Sequence, residues 1–438
     1  MSTVFRESIV ALSSGRLPSG VAVVRMSGPQ VRFALETIAG GVPEPRSARV
    51  RSLRFDGAEL DRGLVVFFPS PASFTGEDVV EFNLHGGKAT VSSLLAALTR
   101  LPSVRVAEPG EFTRRAFLNG KIDLLEAEAV ADLVNAETEA QRRLALLNHG
   151  GAQSVLYESW RKRLLHARAM LEAELDFSDE GDVPGSVSGL VWEDVPGLAA
   201  EMKDHVGGFQ RAEMIREGFD VVIIGAPNVG KSSLLNALAR RDVAIVSDEP
   251  GTTRDLVEVV LDLGGNKVRL TDTAGIREHA GHVERMGIDR AVARARSADL
   301  IVLLDDGRNA ARDTVEFGNA PILQVRSKTD LSDMRESGGF DLALSAVTGS
   351  GLGELLDELA RRSGSALQSV GEVLPSRLRH VELLNAARGH IERAVLGLDL
   401  DLQAEELRLA QQQLGKISGA VGVEDVLDVI FSQFCIGK

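Results

Sequence analysis

Cysteine is almost absent. Cys435 is the only one in 438 residues, which excludes an internal disulfide and any structural zinc site built on several thiolates. Aromatic residues are scarce too, at 4% of the chain, so Ala, Leu and Val have to fill the core and a helix-rich architecture is expected. The opening MSTVFRESIV has neither a basic flank nor a long apolar run, and no later stretch reaches the roughly 18 uncharged apolar residues a membrane span needs. A cytoplasmic protein without membrane contact is expected. Positive charge is in deficit as well: a net charge of −14 argues against nonspecific wrapping of nucleic acid, which needs a basic surface to release counterions. Any RNA contact has to be local, at patches such as Arg161-Lys162-Arg163 with Arg168, or Arg377, Arg379 and His380.

The length favours two or three domains. Up to residue 120, short apolar runs alternate with Gly, Pro and Ser; GVAVVRM (20–26), GLVVFF (63–68) and DVVEFNL (78–84) read as strands of an α+β domain. From Ile122 the segment LLEAEAVADLVNAETEAQRRLALL offers good helix formers with no Gly or Pro. In residues 155–177, Trp160, Leu164, Ala167, Leu171 and Leu175 recur at spacings of four and three, one apolar helical stripe. A less regular helical stretch leads to Arg216. Strand VVII (221–224) then opens an α/β segment that closes near Arg362, and RHVELLNAARGHIERAVLGL and AEELRLAQQQLGKI return to helical periodicity. The simplest account is one helical domain, residues 121–215 and 366–438, with an α/β domain, residues 216–365, inserted into it.

The insert carries phosphate chemistry. Gly225-Ala-Pro-Asn228-Val229-Gly230-Lys231-Ser232, followed by Ser233, fits G-x-x-x-x-G-K-[ST] directly between an apolar strand and a helix. Backbone N–H groups and the helix N-terminus cradle phosphates in this loop, Lys231 reaches the β and γ oxygens and Ser232 ligates Mg²⁺. Pro250-Gly-Thr252-Thr253-Arg-Asp255 fits a first switch, with Thr253 closing on Mg²⁺ and the γ-phosphate, and Leu270-Thr-Asp272-Thr273-Ala274-Gly275 puts a carboxylate after a strand. Base recognition is expected from Ser327-Lys328-Thr329-Asp330 and from Ser345-Ala346: Asp330 accepts from guanine N1–H and the 2-amino group, and the Lys328 stem covers the ring. Most such GTPases have Asn where Ser327 stands, but Asp330 sets guanine over adenine, so the implied ligand is GTP. Ile276 occupies the place of the water-positioning Gln of Ras-type enzymes. An aliphatic side chain cannot orient water, and Glu278, Glu284 and Arg285 are the nearby alternatives, among which spacing does not choose.

Four segments then carry a resemblance over the whole chain: the PGTTRD switch, FTGEDVVEFNLHGG (74–87), EPGEFTRRAFLNGKIDLLEAEAVADLV (108–134) and Phe434-Cys435-Ile436-Gly437-Lys438. Together they closely resemble the MnmE (TrmE) family of tRNA-modification GTPases. The resemblance implies α/β plus α architecture: an N-terminal α+β folate-binding and dimerisation domain (1–120), a discontinuous helical domain and an inserted Ras-like P-loop GTPase domain. It implies a heterotetramer with MnmG, a partner that uses FAD and NADH, and addition of an aminomethyl or carboxymethylaminomethyl group at C5 of the wobble uridine of certain tRNAs. It implies that a tetrahydrofolate such as 5-formyltetrahydrofolate supplies the C1 unit. It also implies K⁺ beside the phosphates, on the Asn228 side chain and the carbonyls of Ser247, Glu249 and Thr252, and a catalytic glutamate at Glu284 acting through a bridging water. Folate contacts fall on Arg25, Glu81, Lys121 and Lys438, and Cys435 is given a catalytic role in a tail that reaches toward the folate site. Read from the residues alone, Arg25 and Glu81 also fit a structural ion pair, His85 before Gly86-Gly87 fits a turn, and a lone cysteine fits core packing. A GTP-driven ribosome assembly factor without covalent chemistry is the alternative; it shares the middle domain, and the helical tail with CIGK speaks against it.

Overall fold

The computed structural model describes residues 5–176, 188–245, 258–272, 296–307, 320–331, 339–366, 372–396, 399–422, 424–432 and 434–437. The chain divides into two compact units, residues 1–131, 154–195 and 389–438 in one and residues 132–153 and 196–388 in the other.

The first unit begins with β1 (Ser8–Leu12), β2 (Ser19–Ser27), α1 (Val31–Ala39), β3 (Arg49–Phe55), β4 (Ala58–Phe68), β5 (Val79–Gly86), α2 (Lys88–Thr99) and β6 (Val104–Val106). Among the described residues these strands form a six-stranded sheet in the order β3-β4-β5-β2-β1-β6, with β6 parallel to β1 and the other pairs antiparallel. Side chains alternate across a strand. Ala22, Val24 and Met26 of β2 and Val80, Phe82 and Leu84 of β5 therefore point to one face, where Leu35 and Ile38 of α1 and Leu94 and Leu98 of α2 cover them. The intervening residues, Arg25 and Glu81 among them, lie on the other face. Phe112 of α3 (Glu111–Leu118) packs there against Ile9, Ala11 and Ala107. His85, expected in a turn, lies within β5, with its Nδ1 2.8 Å from Asp61 Oδ1.

The helical run after Ile122 is split into α4 (Leu124–Asn135) and α5 (Glu139–His149). Thr138 and Gln141 form a capping box at the restart, satisfying the orphan N–H groups that a helix start leaves. Next come α6 (Ala152–Asp176), α7 (Ser188–Gly207) and α8 (Phe209–Glu217). Along α6, Trp160, Leu164, Ala167 and Leu171 are buried, but Leu175 at the end of the stripe is exposed.

The α/β segment contains β7 (Phe219–Gly225), α9 (Lys231–Ala239), β8 (Glu258–Leu263), β9 (Asn266–Asp272), β10 (Leu300–Asp305), β11 (Ile322–Arg326), β12 (Leu342–Ala343) and α10 (Leu352–Ala366). Its six strands, among the described residues, run β12-β11-β10-β7-β9-β8, all parallel except β8. Central β7 is buried on both faces, which is why it reads as an unbroken apolar run. The chain continues through α11 (Leu378–Val395), α12 (Leu400–Ser418) and α13 (Glu424–Ser432).

Candidate functional site

The phosphate loop leaves the carboxyl end of β7, where a parallel α/β sheet binds ligands. Gly225 ends that strand, and a Cβ there would lie 2.3 Å from the Leu304 carbonyl oxygen of β10. Only glycine lets the chain turn so close to its neighbour. Asn228 and Gly230 take left-handed backbone angles (φ 62° and 109°), and α9 starts at Lys231. The Lys231 ammonium is buried and donates to the carbonyls of Gly225 at 2.8 Å and Ala226 at 3.0 Å, inside the loop that cradles phosphates. Beside it, the Ser232 hydroxyl donates to Asp272 Oδ2 at 2.9 Å. Asp272, at the end of β9, is 1% exposed. A hydroxyl and a carboxylate are hard oxygen donors and fit Mg²⁺. Ser233 follows on the same helix and is exposed.

The segment expected to recognise the base leaves the end of β11. Asp330 is exposed, and its Oδ1 accepts from the Ser345 hydroxyl at 2.6 Å. Ser345 is fixed in turn, its N–H donating to the Ser350 carbonyl at 2.9 Å, with Ala346 next in the chain. Lys328 is left-handed (φ 56°), and its ammonium lies 3.2 Å from the Asp306 carboxylate. Asp306 was not singled out by the sequence, because a contact across 22 positions has no spacing signature. Ser247, Glu249, Thr252, Thr253, Thr273, Ala274, Gly275 and Glu284 lie outside the described residues.

In the first unit, Arg25 and Glu81 are cross-strand partners on β2 and β5. Arg25 Nη2 is 2.7 Å from Glu81 Oε1, and each side chain is 24% exposed. The guanidinium also lies 6.0 and 5.9 Å from the ring centroids of Phe74 and Phe112, a cation–π setting. Neither ring was a candidate from the sequence, although both sit in the segments that carry the family resemblance. Lys121 precedes α4, donates to the Pro71 carbonyl at 3.1 Å and lines a groove of about 730 Å³ with Phe117, Ile122 and Glu158. Arg115, 1% exposed, joins Glu77 to Glu111 at 3.1 and 3.0 Å. Burial pushes the Glu111 carboxyl up, but hydrogen bonds from Arg105, the Glu108 backbone and Arg115 outweigh it and hold the group below its ordinary value.

The segment after α13 seats on this same unit. Ile436 bridges Pro109, the Cys435 carbonyl accepts from Gly110 N–H at 3.4 Å, and the Gly437 carbonyl accepts from Ser13 Oγ at 2.9 Å. Gly437 (φ 99°) has to be glycine, since a Cβ would lie 2.2 Å from the Leu12 carbonyl oxygen. Phe431 and Phe434 anchor the segment against Leu124 and Ala127. Cys435 is exposed, so packing does not account for it. Lys438 lies outside the described residues.

Four arginines of the basic patches are held in ion pairs. Arg161 pairs with Glu158 at 2.7 Å, Arg163 with Asp194 at 2.5 Å, Arg168 with Glu172 at 2.9 Å and Arg377 with Asp132 at 2.6 Å, while His380 is buried.

The chain is similar to known proteins along nearly its whole length. Family profiles described as "GTP-binding protein TrmE N-terminus" and "MnmE helical domain" match residues 8–121 and 124–435. A Mesorhizobium japonicum protein named tRNA modification GTPase MnmE is 62% identical over 439 residues, 99% of each chain. Proteins of the same name from Chelativorans sp. and Brucella canis are 54% and 55% identical, again over 99% of this chain and 98% and 99% of theirs. The chain belongs to the MnmE (TrmE) family of tRNA-modification GTPases.

Proposed function

We propose that the chain is a GTP hydrolase of tRNA modification that depends on Mg²⁺ and K⁺ and acts with an MnmG-type flavoprotein that uses FAD and NADH. The pair adds an aminomethyl or carboxymethylaminomethyl group at C5 of the wobble uridine of certain tRNAs, in the cytoplasm, with the C1 unit drawn from 5-formyltetrahydrofolate or a related tetrahydrofolate. Residues 1–120 bind folate and form the homodimer, residues 121–215 and 366–438 make the helical domain, and residues 216–365 hydrolyse GTP.

In the GTPase, the loop from Asn228 to Ser233 wraps the phosphates and Lys231 neutralises them. Ser232, Thr253 and Asp272 hold Mg²⁺, which when bound offsets charge on the β and γ oxygens. Asn228, Ser247, Glu249 and Thr252 hold K⁺. Asp330, steadied by Ser345, accepts guanine's donors, and Glu284 holds the attacking water that Ile276 cannot. In the folate site, Arg25 and Lys121 with Lys438 take the folate carboxylates and Glu81 the donor edge of the pterin.

The observation that carries the modification reading is the seating of the Phe434–Gly437 segment on Pro109, Gly110 and Ser13. It ties Cys435, whose side chain is exposed, through its backbone carbonyl to Gly110, the residue before α3, whose Phe112 ring lies 5.9 Å from the Arg25 guanidinium. The test is mass analysis of wobble uridines in tRNA from a strain lacking the protein. Loss of the C5 adduct is expected, and unchanged uridines would sink the reading.

A further inference from the structure

Ser327 stands where most such GTPases carry Asn, and its hydroxyl is engaged by the protein's own backbone. It is 3% exposed, and its one proton goes to the Val229 carbonyl at 2.8 Å, with the Asp305 carbonyl a more distant second acceptor at 3.4 Å. Its own N–H is used as well, donating to that same Asp305 carbonyl at 2.8 Å. Three segments meet at this residue: the phosphate loop, the end of β10 and the base-recognition loop.

The acceptor matters because of what shares its peptide. The Val229 carbonyl and the Gly230 N–H belong to one planar, trans unit, so aiming the oxygen at Ser327 aims the hydrogen the opposite way. Gly230 sits at φ 109°, a conformation in which glycine alone is at ease, and a glycine offers little resistance to rotation of the peptide before it. No bulky side chain at 230 locks that plane. A buried hydrogen bond does.

We infer that Ser327 is a positioning residue: its hydroxyl locks the Val229–Gly230 peptide so that the Gly230 N–H faces the phosphates, and it does not read the base. The inference rests on the reading of this loop as a guanine-nucleotide site. It assigns Ser327 to phosphate affinity and leaves base choice to Asp330 and Lys328. Removing the hydroxyl then weakens ground state and transition state alike, which raises KM and leaves kcat near its starting value.

The experiment measures dissociation of fluorescent GDP and GTP, steady-state KM and kcat, and the ratio of GTP to ITP affinity in the full-length protein. ITP lacks the 2-amino group that Asp330 accepts. Ser327→Ala is expected to release both nucleotides roughly tenfold faster, as loss of one buried hydrogen bond implies, with kcat and the GTP-to-ITP ratio unchanged. Ser327→Thr, which keeps the hydroxyl, should restore slow release. Ser327→Cys, close in shape but a weaker donor, should fall between them, and it serves in place of alanine if that variant is unfolded. Release at the wild-type rate from both Ala and Cys variants overturns the inference, as does a collapsed GTP-to-ITP ratio, which would mean that the hydroxyl reads the base. Asp330→Asn separates the two readings. If that variant keeps full preference for GTP over ITP, the guanine-site reading fails, whatever the release rates at Ser327.

Discussion

In the proposed base site Asp330 presents an acceptor where guanine presents donors, and the Ser345 hydroxyl at 2.6 Å fixes one of its oxygens. Adenine would meet that carboxylate with its own acceptor N1 and no proton between them. Asp330→Asn is therefore expected to weaken GTP by about 1.5 to 3 kcal/mol, the worth of a charge-assisted hydrogen bond, and the wild type should hydrolyse GTP and not ATP. Titration with both nucleotides checks this, and comparable ATP turnover would remove the base assignment. Glu284 poses the other test at this scale. On its proposed role of holding the attacking water, Glu284 acts on the transition state, so Glu284→Ala should slow turnover by about 10³-fold or more without weakening GTP binding. If K⁺ sits at the proposed site, replacing it by Na⁺, too small to reach Asn228 and the three carbonyls together, should slow turnover strongly too. An Ala variant at wild-type speed would direct attention to Glu278 or Arg285. The residues legible in the sequence were those whose spacing along the chain is their function, as in the loop from Gly225 to Ser232. Asp306, Phe74 and Phe112 were not, because their partners come from distant positions and only the folded sheet brings them together.

The elements were legible where one periodicity ruled. β7 reads as a buried strand because both its faces are covered, and most of the α6 stripe is buried as its spacing predicts. The division between α4 and α5 was hidden, since Ala136, Glu137 and Thr138 are acceptable in a helix and only the tertiary setting chooses otherwise. There, Lys267 of β9 meets Glu137 at 2.6 Å, Ala140 N–H donates to the Gly265 carbonyl at 2.9 Å and Gln141 Nε2 to the Arg216 carbonyl at 2.8 Å. These contacts favour a fresh helix start over a continuous rod. Between α7 and α11, His205 supplies a prediction about acid. Burial, then the neighbouring His380, lowers its pKa from 6.5 to about 4, against a weaker opposing hydrogen bond to the Val373 backbone. The unfolded chain thus binds this proton first as pH falls. Stability is full above about 6.5 and drains away toward 4, with a loss of about 2 kcal/mol by pH 5. Thermal melts at pH 7 and 5 should show the drop, and His205→Leu should flatten it; an equal drop in that variant would place the titrating group elsewhere.

At the scale of the whole molecule, the chain returns to its beginning: residues 389–438 belong to the same compact unit as residues 1–131. The sequence indicated this only through resemblance, because no local pattern announces that Gly437 will lie against Leu12. Arg25, Glu81, Lys121 and Cys435, the residues of the proposed folate and thiol site, are therefore contained in one unit, and the phosphate loop with Asp272, Lys328 and Asp330 in the other. Chemistry that needs Cys435 can be removed without touching the groups that bind GTP. Cys435→Ser exchanges an exposed sulfur for oxygen, keeps the backbone hydrogen bond to Gly110 and leaves Phe431 and Phe434 as anchors, so neither stability nor seating of the tail should change by more than about 0.5 kcal/mol. GTP hydrolysis by this variant is expected at the wild-type rate, while wobble-uridine modification in cells that carry only the variant is expected to disappear. Full modification would show that the thiol is dispensable and that the tail serves only to close the unit. Loss of both activities would show that hydrolysis itself depends on the tail, and would end the assignment of the two chemistries to separate units.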